Sequence, residues 1–278
     1  MAGKNYYCLV AGLKEYPLDS QTKGFDARAV IEEVRENVSR RDRGYVDLLY
    51  TWYDIENIIG IRQGRSQFSS LGNFSREELE EELARPDRLP RFIADTVRAY
   101  ADPDSAEWED FDREERFERS LMGAYYAECA KSKCRFIREW SEFDRNLRNI
   151  AAAIGARRAG LPVSTVVIGS GDVADALMRS SAADFGLRGE IGYIDQLIAA
   201  VAETGNLLEK EHRIDLIRWN VSEELTVFDY FNIDGILGYL ARINLVHRWA
   251  MLDPVRGREM FDRLVETLNG REYIGSGN

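Results

Sequence analysis

"STVVIGSGDVADALM", residues 164–178, is the stretch on which the fold turns. Its apolar run ends in Gly169-x-Gly171-x-x-Ala174, and Glu190 follows about twenty residues after the first glycine, as in a dinucleotide-binding turn between a strand and a helix. Read that way, the chain is an α/β enzyme that uses a nucleotide. Read as a linker running into a capped helix, the same stretch belongs to an all-α protein.

The flanks favour the second reading. A dinucleotide site lies at the carboxyl edge of a parallel sheet, which needs several strands alternating with helices. Only two segments have strand character: the aromatic and branched "NYYCLVAGL" (5–13), and residues 163–168. Asp172 and Asp175 fall in the first turn of the following helix, where a pyrophosphate requires free N–H groups and positive potential. Acids there suit a helix start better than a phosphate cradle. The expected fold is therefore all-α with one or two short strands.

Working outward, helical spacing governs most of the chain. Phe25, Val30, Ile31, Val34 and Val38 form one apolar stripe, and "YVDLLYTWYDIENIIGI" after Gly44 forms a second helix. Ser75-Arg76-Glu77-Glu78 is a capping box that opens a third, and a short helix is expected at residues 92–100. Between Pro103 and Pro162 there is no proline, and Phe136, Trp140, Phe143, Leu147, Ile150 and Ile154 make a heptad seam. Phe117, Leu121, Tyr125 and Cys129 extend the stripe upstream, with Gly123 as its weakest point. With no Gly/Pro/Asn cluster to supply a turn, residues 106–159 read as one long or gently broken helix, roughly 80 Å long at 1.5 Å per residue. A helix before Gly205, another after it, an apolar helix through "NIDGILGYLARINLVHRWAML" and a last one through "VRGREMFDRLVETLNG", with Gly270 as its cap, complete the pattern. The tail "REYIGSGN" is expected to be mobile.

Composition narrows the function. The chain has 278 residues, 45% of them hydrophobic, which is ample for a packed core. A formal charge of −11 gives no broad basic field for nucleic acid. No stretch approaches a membrane span or a signal h-region, so any membrane connection runs through another protein. Cys8, Cys129 and Cys134, an odd count without a CxxC pair, suit a reducing, cytoplasmic setting. His212 and His247 lack partners at metal-ligand spacing, so no metal is expected. The triplet Asp184-Phe185-Gly186 is read as a turn, because the other kinase elements are missing. The many carboxylates alternate with Arg and Lys as solvated helix faces do, and no activated nucleophile stands out.

Three helical segments share an Asn beside Ile or Leu with Arg further on: Asn57-Ile58 with Arg62, Asn149-Ile150 with Arg157 and Arg158, and Asn244-Leu245 with Arg248. The asparagines are 92 and then 95 residues apart, which divides the chain into units of about 1–104, 105–185 and 186–278. Asn side chains at such positions also serve simply to meet backbone groups or caps. With Asp54 three residues before Asn57, the first segment resembles the Asp-x-x-Asn-Ile/Leu…Arg motif of the C-type stalk subunit of archaeal-type and bacterial V-type ATPases, the counterpart of the eukaryotic d-type subunit. The second segment carries Asn146 in place of the Asp, and the third matches loosely. The opening "YYCLVAGL" is also similar to that of an uncharacterised bacterial family associated with V-type ATPase gene clusters.

The resemblance implies a single elongated, funnel-like domain of three pseudo-equivalent helical units. It implies a non-catalytic subunit that couples the central axle to the membrane ring during proton or sodium transport. No cofactor follows from it, and the location implied is cytoplasmic, peripheral to the inner membrane through the complex. Asp54, Asn57, Arg62, Asn149, Arg157, Asn244 and Arg248 are then structural or interface candidates. A nucleotide-binding enzyme using residues 169–174, and a free-standing helical adaptor docking through residues 106–159, are the alternatives.

Overall fold

A computed structural model describes residues 4–18, 25–101, 110–203 and 205–252. The expected helix at "VRGREMFDRLVETLNG", its cap at Gly270 and the tail lie outside these. The described residues form eleven α-helices and no strand: α1 (Tyr7–Gly12), α2 (Ala27–Asn37), α3 (Arg40–Arg62), α4 (Arg76–Ala84), α5 (Arg91–Ala101), α6 (Asp110–Ala130), α7 (Arg135–Ala159), α8 (Asp172–Arg179), α9 (Ile194–Ala202), α10 (Leu207–Thr226) and α11 (Ile233–Leu252). The all-α expectation holds. None of these helices is long and apolar enough to cross a membrane.

Both strand expectations are corrected. Residues 7–12 are helical because Tyr6, Leu9, Val10 and Leu13 share one helical face, with Tyr6 and Leu9 buried; a strand there would have no partner edge among the described residues. Residues 163–165 form a single 3₁₀ turn, closed by the Thr165 N–H and hydroxyl on the Pro162 carbonyl (3.1 and 2.7 Å).

The long helix of 106–159 is also corrected: it is a hairpin of α6 and α7 that breaks at Lys131–Cys134, not at Gly123. Lys131 and Ser132 close α6 with bonds to the Glu128 and Cys129 carbonyls, at 3.1 and 3.0 Å. The first turn of α7 is then satisfied from a distance, since Asp234 on α11 accepts from the Phe136 N–H (2.7 Å) and the Cys134 thiol (3.2 Å). A carboxylate supplied by another helix does the work of a local N-cap.

Most buried apolar residues fall into two cores. One draws on α1 to α6, the start of α7 and α11; the other draws on the rest of α7 with α8, α9 and α10. Their limits do not follow divisions near residues 104 and 185. Trp140 on α7 packs against both cores, stacked on Phe136 at 5.7 Å and tilted on Phe143 at 5.3 Å. The heptad seam is thus the rib shared by the two cores.

Candidate functional site

The asparagines of the recurring segments hold loops. Asn57 on α3 accepts from the Ser69 N–H (2.7 Å) and donates to the Ser69 carbonyl (2.9 Å). Asn149 on α7 makes the same pair of bonds with Ile168, both at 2.9 Å. Each carboxamide mimics a strand neighbour for one loop residue, so half-buried backbone groups are satisfied without a sheet. Asn244 departs from this pattern, accepting from the Tyr50 hydroxyl at 2.9 Å.

Asp54 completes the first clasp. Fully buried, it accepts from the Asn73 N–H (2.7 Å), the Asn73 side chain (2.7 Å) and the Phe74 N–H (3.2 Å). Burial pushes its carboxyl up to about 6, although the three donors pull the other way. The loop lies so close that a Cβ on Gly72 would collide with the Asp54 carboxylate. Asn146, the corresponding residue before Asn149, holds no loop; it lines a separate cavity instead.

The arginines bind what their helices face. Arg62 forks onto Glu114 at 3.0 and 2.5 Å and covers the Phe117 ring at 4.1 Å, tying α3 to α6. Arg157 donates to the Ala182 carbonyl (2.7 Å) and the Ser180 carbonyl and lies 3.7 Å over the ring of Phe185. The Asp184-Phe185-Gly186 triplet is the turn expected of it: Phe185 is buried with φ 55° and Asp184 accepts from the Gly186 N–H at 3.0 Å. The Gly169–Gly171 loop leads from a turn into the eight-residue α8, with Asp172 and Asp175 in its first turn and no side chain capping it. It has neither the strand nor the sheet edge that a dinucleotide site needs.

Arg248 opens onto a polar hub that the spacing of motifs does not reveal. It donates to both oxygens of the fully buried Asp215, at 3.0 and 2.9 Å, and to Glu211. Trp249 and Arg218 also donate to Asp215, at 3.0 and 2.8 Å. Arg218 reaches on to Asp144 (3.2 Å), which accepts further from Arg148 (2.7 Å) and the Tyr126 hydroxyl (3.0 Å). Arg148 lies 4.3 Å over the Trp52 ring. Burial alone would raise the Asp144 carboxyl, but Arg148 and Arg218 outweigh it and hold the group below its ordinary value. The hub joins α3, α6, α7, α10 and α11, and so crosses from one core to the other.

Two surface features accompany it. A groove of about 1030 Å³ runs past Asp47, Thr51, Arg88 and Phe92, but its charges neutralise one another, as in Arg35–Asp47 (3.1 Å), Arg91–Asp95 (3.5 Å) and Lys131–Glu128 (3.5 Å). The turn between α10 and α11 presents an aromatic patch of Phe228, Tyr230 and Phe231, joined by Tyr7, whose ring centroid is 4.7 Å from that of Phe231. Phe228 is 87% exposed. Arg135 fixes this turn to α7 through the Leu225 carbonyl (2.8 Å) and the Asp229 carboxylate. Among the described residues no group of three or more His, Cys, Asp or Glu is placed to hold a metal ion.

Fold and site together define an all-helical protein of two cores clamped by buried polar clasps. The chain belongs to the family described as "Protein of unknown function (DUF2764)", whose model matches residues 2–271. That match overturns the assignment to the C-type (eukaryotic d-type) stalk subunits of V-type ATPases, since it takes in nearly the whole chain and no family of those subunits matches. The physical reason for the false likeness is plain in the contacts: Asn57 and Asn149 recur because each holds one loop residue, while Arg62, Arg157 and Arg248 each bind unrelated groups that their helices happen to face. No curated protein matches the chain.

Proposed function

We propose that this chain is a non-catalytic coupling subunit, a rigid helical body that joins other proteins in a larger assembly. The observation that carries the reading is the hub of Asp144, Arg148, Arg218, Asp215 and Arg248. Such a network resists sliding of the helices it joins, because displacement would leave buried charges unpaired. Force applied at one core passes to the other through it. The aromatic patch at Tyr7, Phe228, Tyr230 and Phe231 supplies the docking surface, being the kind of exposed apolar cluster that protein interfaces bury.

The assembly proposed is a V-type ATPase, with this chain between its central axle and its membrane ring in proton or sodium transport, peripheral to the membrane on the cytoplasmic side. The tagged full-length chain, drawn from gently solubilised membranes, should bring the axle and ring proteins with it, and Phe228→Ser with Tyr230→Ser should release them while the melting temperature stays within about 2 °C. Recovery of the chain alone in both forms overturns the proposal. An adaptor docking through residues 106–159 would have to use the outer faces of the α6–α7 hairpin, because the apolar seam of α7 packs into the two cores. For the nucleotide-dependent enzyme, heat on titration with NAD or ATP is the deciding measurement.

A further inference from the structure

Between α7, the turn at 191–193 and α10 lies a cavity of about 520 Å³, within the range of small-molecule sites. Glu139, Glu142 and Glu224 stand around it and no Lys, Arg or His lines it. Arg135 neutralises Glu139 at 2.7 Å, whereas Glu142 and Glu224 form no ion pair among the described residues. An acidic rim alone means little on a chain of charge −11.

The second observation is Asn146. It is only 7% exposed, it lines the cavity wall, and its carboxamide has no hydrogen-bond partner among the described residues. Its amide atoms are not closed off but open onto the cavity, so the groups free to meet them are solvent or a bound ligand. The asparagine makes physical sense if something entering the cavity bonds to it. Phe143 and Tyr193, edge to face at 5.1 Å, add aromatic surface. Burial, with Asp144 and Glu142 nearby, raises the Tyr193 phenol, which keeps its proton as a neutral donor.

We propose that this cavity binds an organic polycation, a linear polyamine with its ammonium groups on Glu142 and Glu224 and one N–H donated to the Asn146 oxygen. The carboxylates are not grouped to close on one metal ion, so a ligand that carries its charges apart fits them better. The aromatic rings suit the methylene chain and the flanking cationic centres.

The test is calorimetric titration of the full chain with spermidine at moderate salt. One saturable site is expected, weakened at least about tenfold by Glu142→Gln with Glu224→Gln, both exposed positions that leave the fold alone. Glu36→Gln with Glu77→Gln, which removes the same charge elsewhere, should change binding less than about twofold. Asn146→Leu should weaken binding while the melting temperature of the free protein stays within about 2 °C, a combination that a purely structural asparagine would not give. Equal losses from the two glutamate pairs, or no saturable site, overturn the proposal. So does magnesium binding as tightly as spermidine and failing in the same variant.

Discussion

Asn57 and Asn149 make the same two hydrogen bonds, each closing its carboxamide on the N–H and carbonyl of one loop residue, Ser69 and Ile168 respectively. Substituting Ala at either position leaves a half-buried N–H and a half-buried carbonyl without their partner, a cost of about 1–2 kcal/mol per variant. The clasps lie on different helices and share no partner, so the double variant should lose the sum. Urea unfolding of the two single variants and the double tests this, and a double variant no worse than either single one would show that the loops are held by something else.

The Asp144–Arg218 contact lies between α7 and α10, and both side chains are nearly buried, at 13% and 12% exposure. Arg218→Met should destabilise by about 3–5 kcal/mol, because Asp144 and Asp215 would each lose a cation in a poorly solvated site. Replacing Asp144 and Arg218 together by apolar residues should recover part of that loss. The pH dependence has a definite sign. The Asp144 pKa is depressed in the folded protein, so its contribution is present above the unfolded value of 3.8 and is lost as pH falls through the folded value. Acid unfolding of Asp144→Asn against the parent isolates it, the variant showing the shallower loss below pH 4.

Asp54 has the opposite sign. Its folded value of about 6 exceeds its unfolded 3.8, so its contribution is complete below 3.8 and is lost as pH rises through 6. Between pH 4 and 6.5 the parent should lose about 2 kcal/mol relative to Asp54→Asn, which does not titrate. Denaturant unfolding at half-unit steps of pH gives the two curves. Parallel curves would mean that the donors from Asn73 and Phe74 outweigh burial and keep the carboxylate charged throughout.

What the sequence made legible is what is local. The spacing of Phe136, Trp140, Phe143, Leu147, Ile150 and Ile154 gave α7, and Ser75 with Glu78 gave the start of α4, whose reciprocal capping bonds are 3.2 and 2.8 Å. Asn57 and Asn149 stood out, but their partners did not, because Ser69 and Ile168 offer only backbone. The hub stayed hidden because Asp144 and Arg148 look like any i,i+4 surface pair. Only the approach of α10, with Arg218 and Asp215, turns that pair into a buried junction. "YYCLVAGL" misled because its aromatic and branched residues favour strands, while the position of Tyr6 against α3 and the α10–α11 turn decides for helix.

Asp234 shows most directly how a distant residue sets local structure. It lies 98 residues from Phe136, yet it accepts the N–H that would otherwise be unmet at the start of α7. Nothing in Lys131–Cys134 carries a strong turn signal, so the break between α6 and α7 depends on this remote carboxylate. Asp234→Ala should therefore cost about 1–2 kcal/mol and loosen the first turn of α7 rather than α11, on which the residue sits. Cys134 reports on that turn. Burial raises its thiol to about 12, which leaves it inert toward thiol reagents at neutral pH. In the variant, Cys134 should react with a disulfide reagent at least several times faster, while the buried Cys129, whose thiol burial also raises to about 12, stays unreactive. Hydrogen exchange accelerating at residues 135–138 and not at 234–238 would confirm where the loss falls; the reverse pattern would place the carboxylate's role within its own helix.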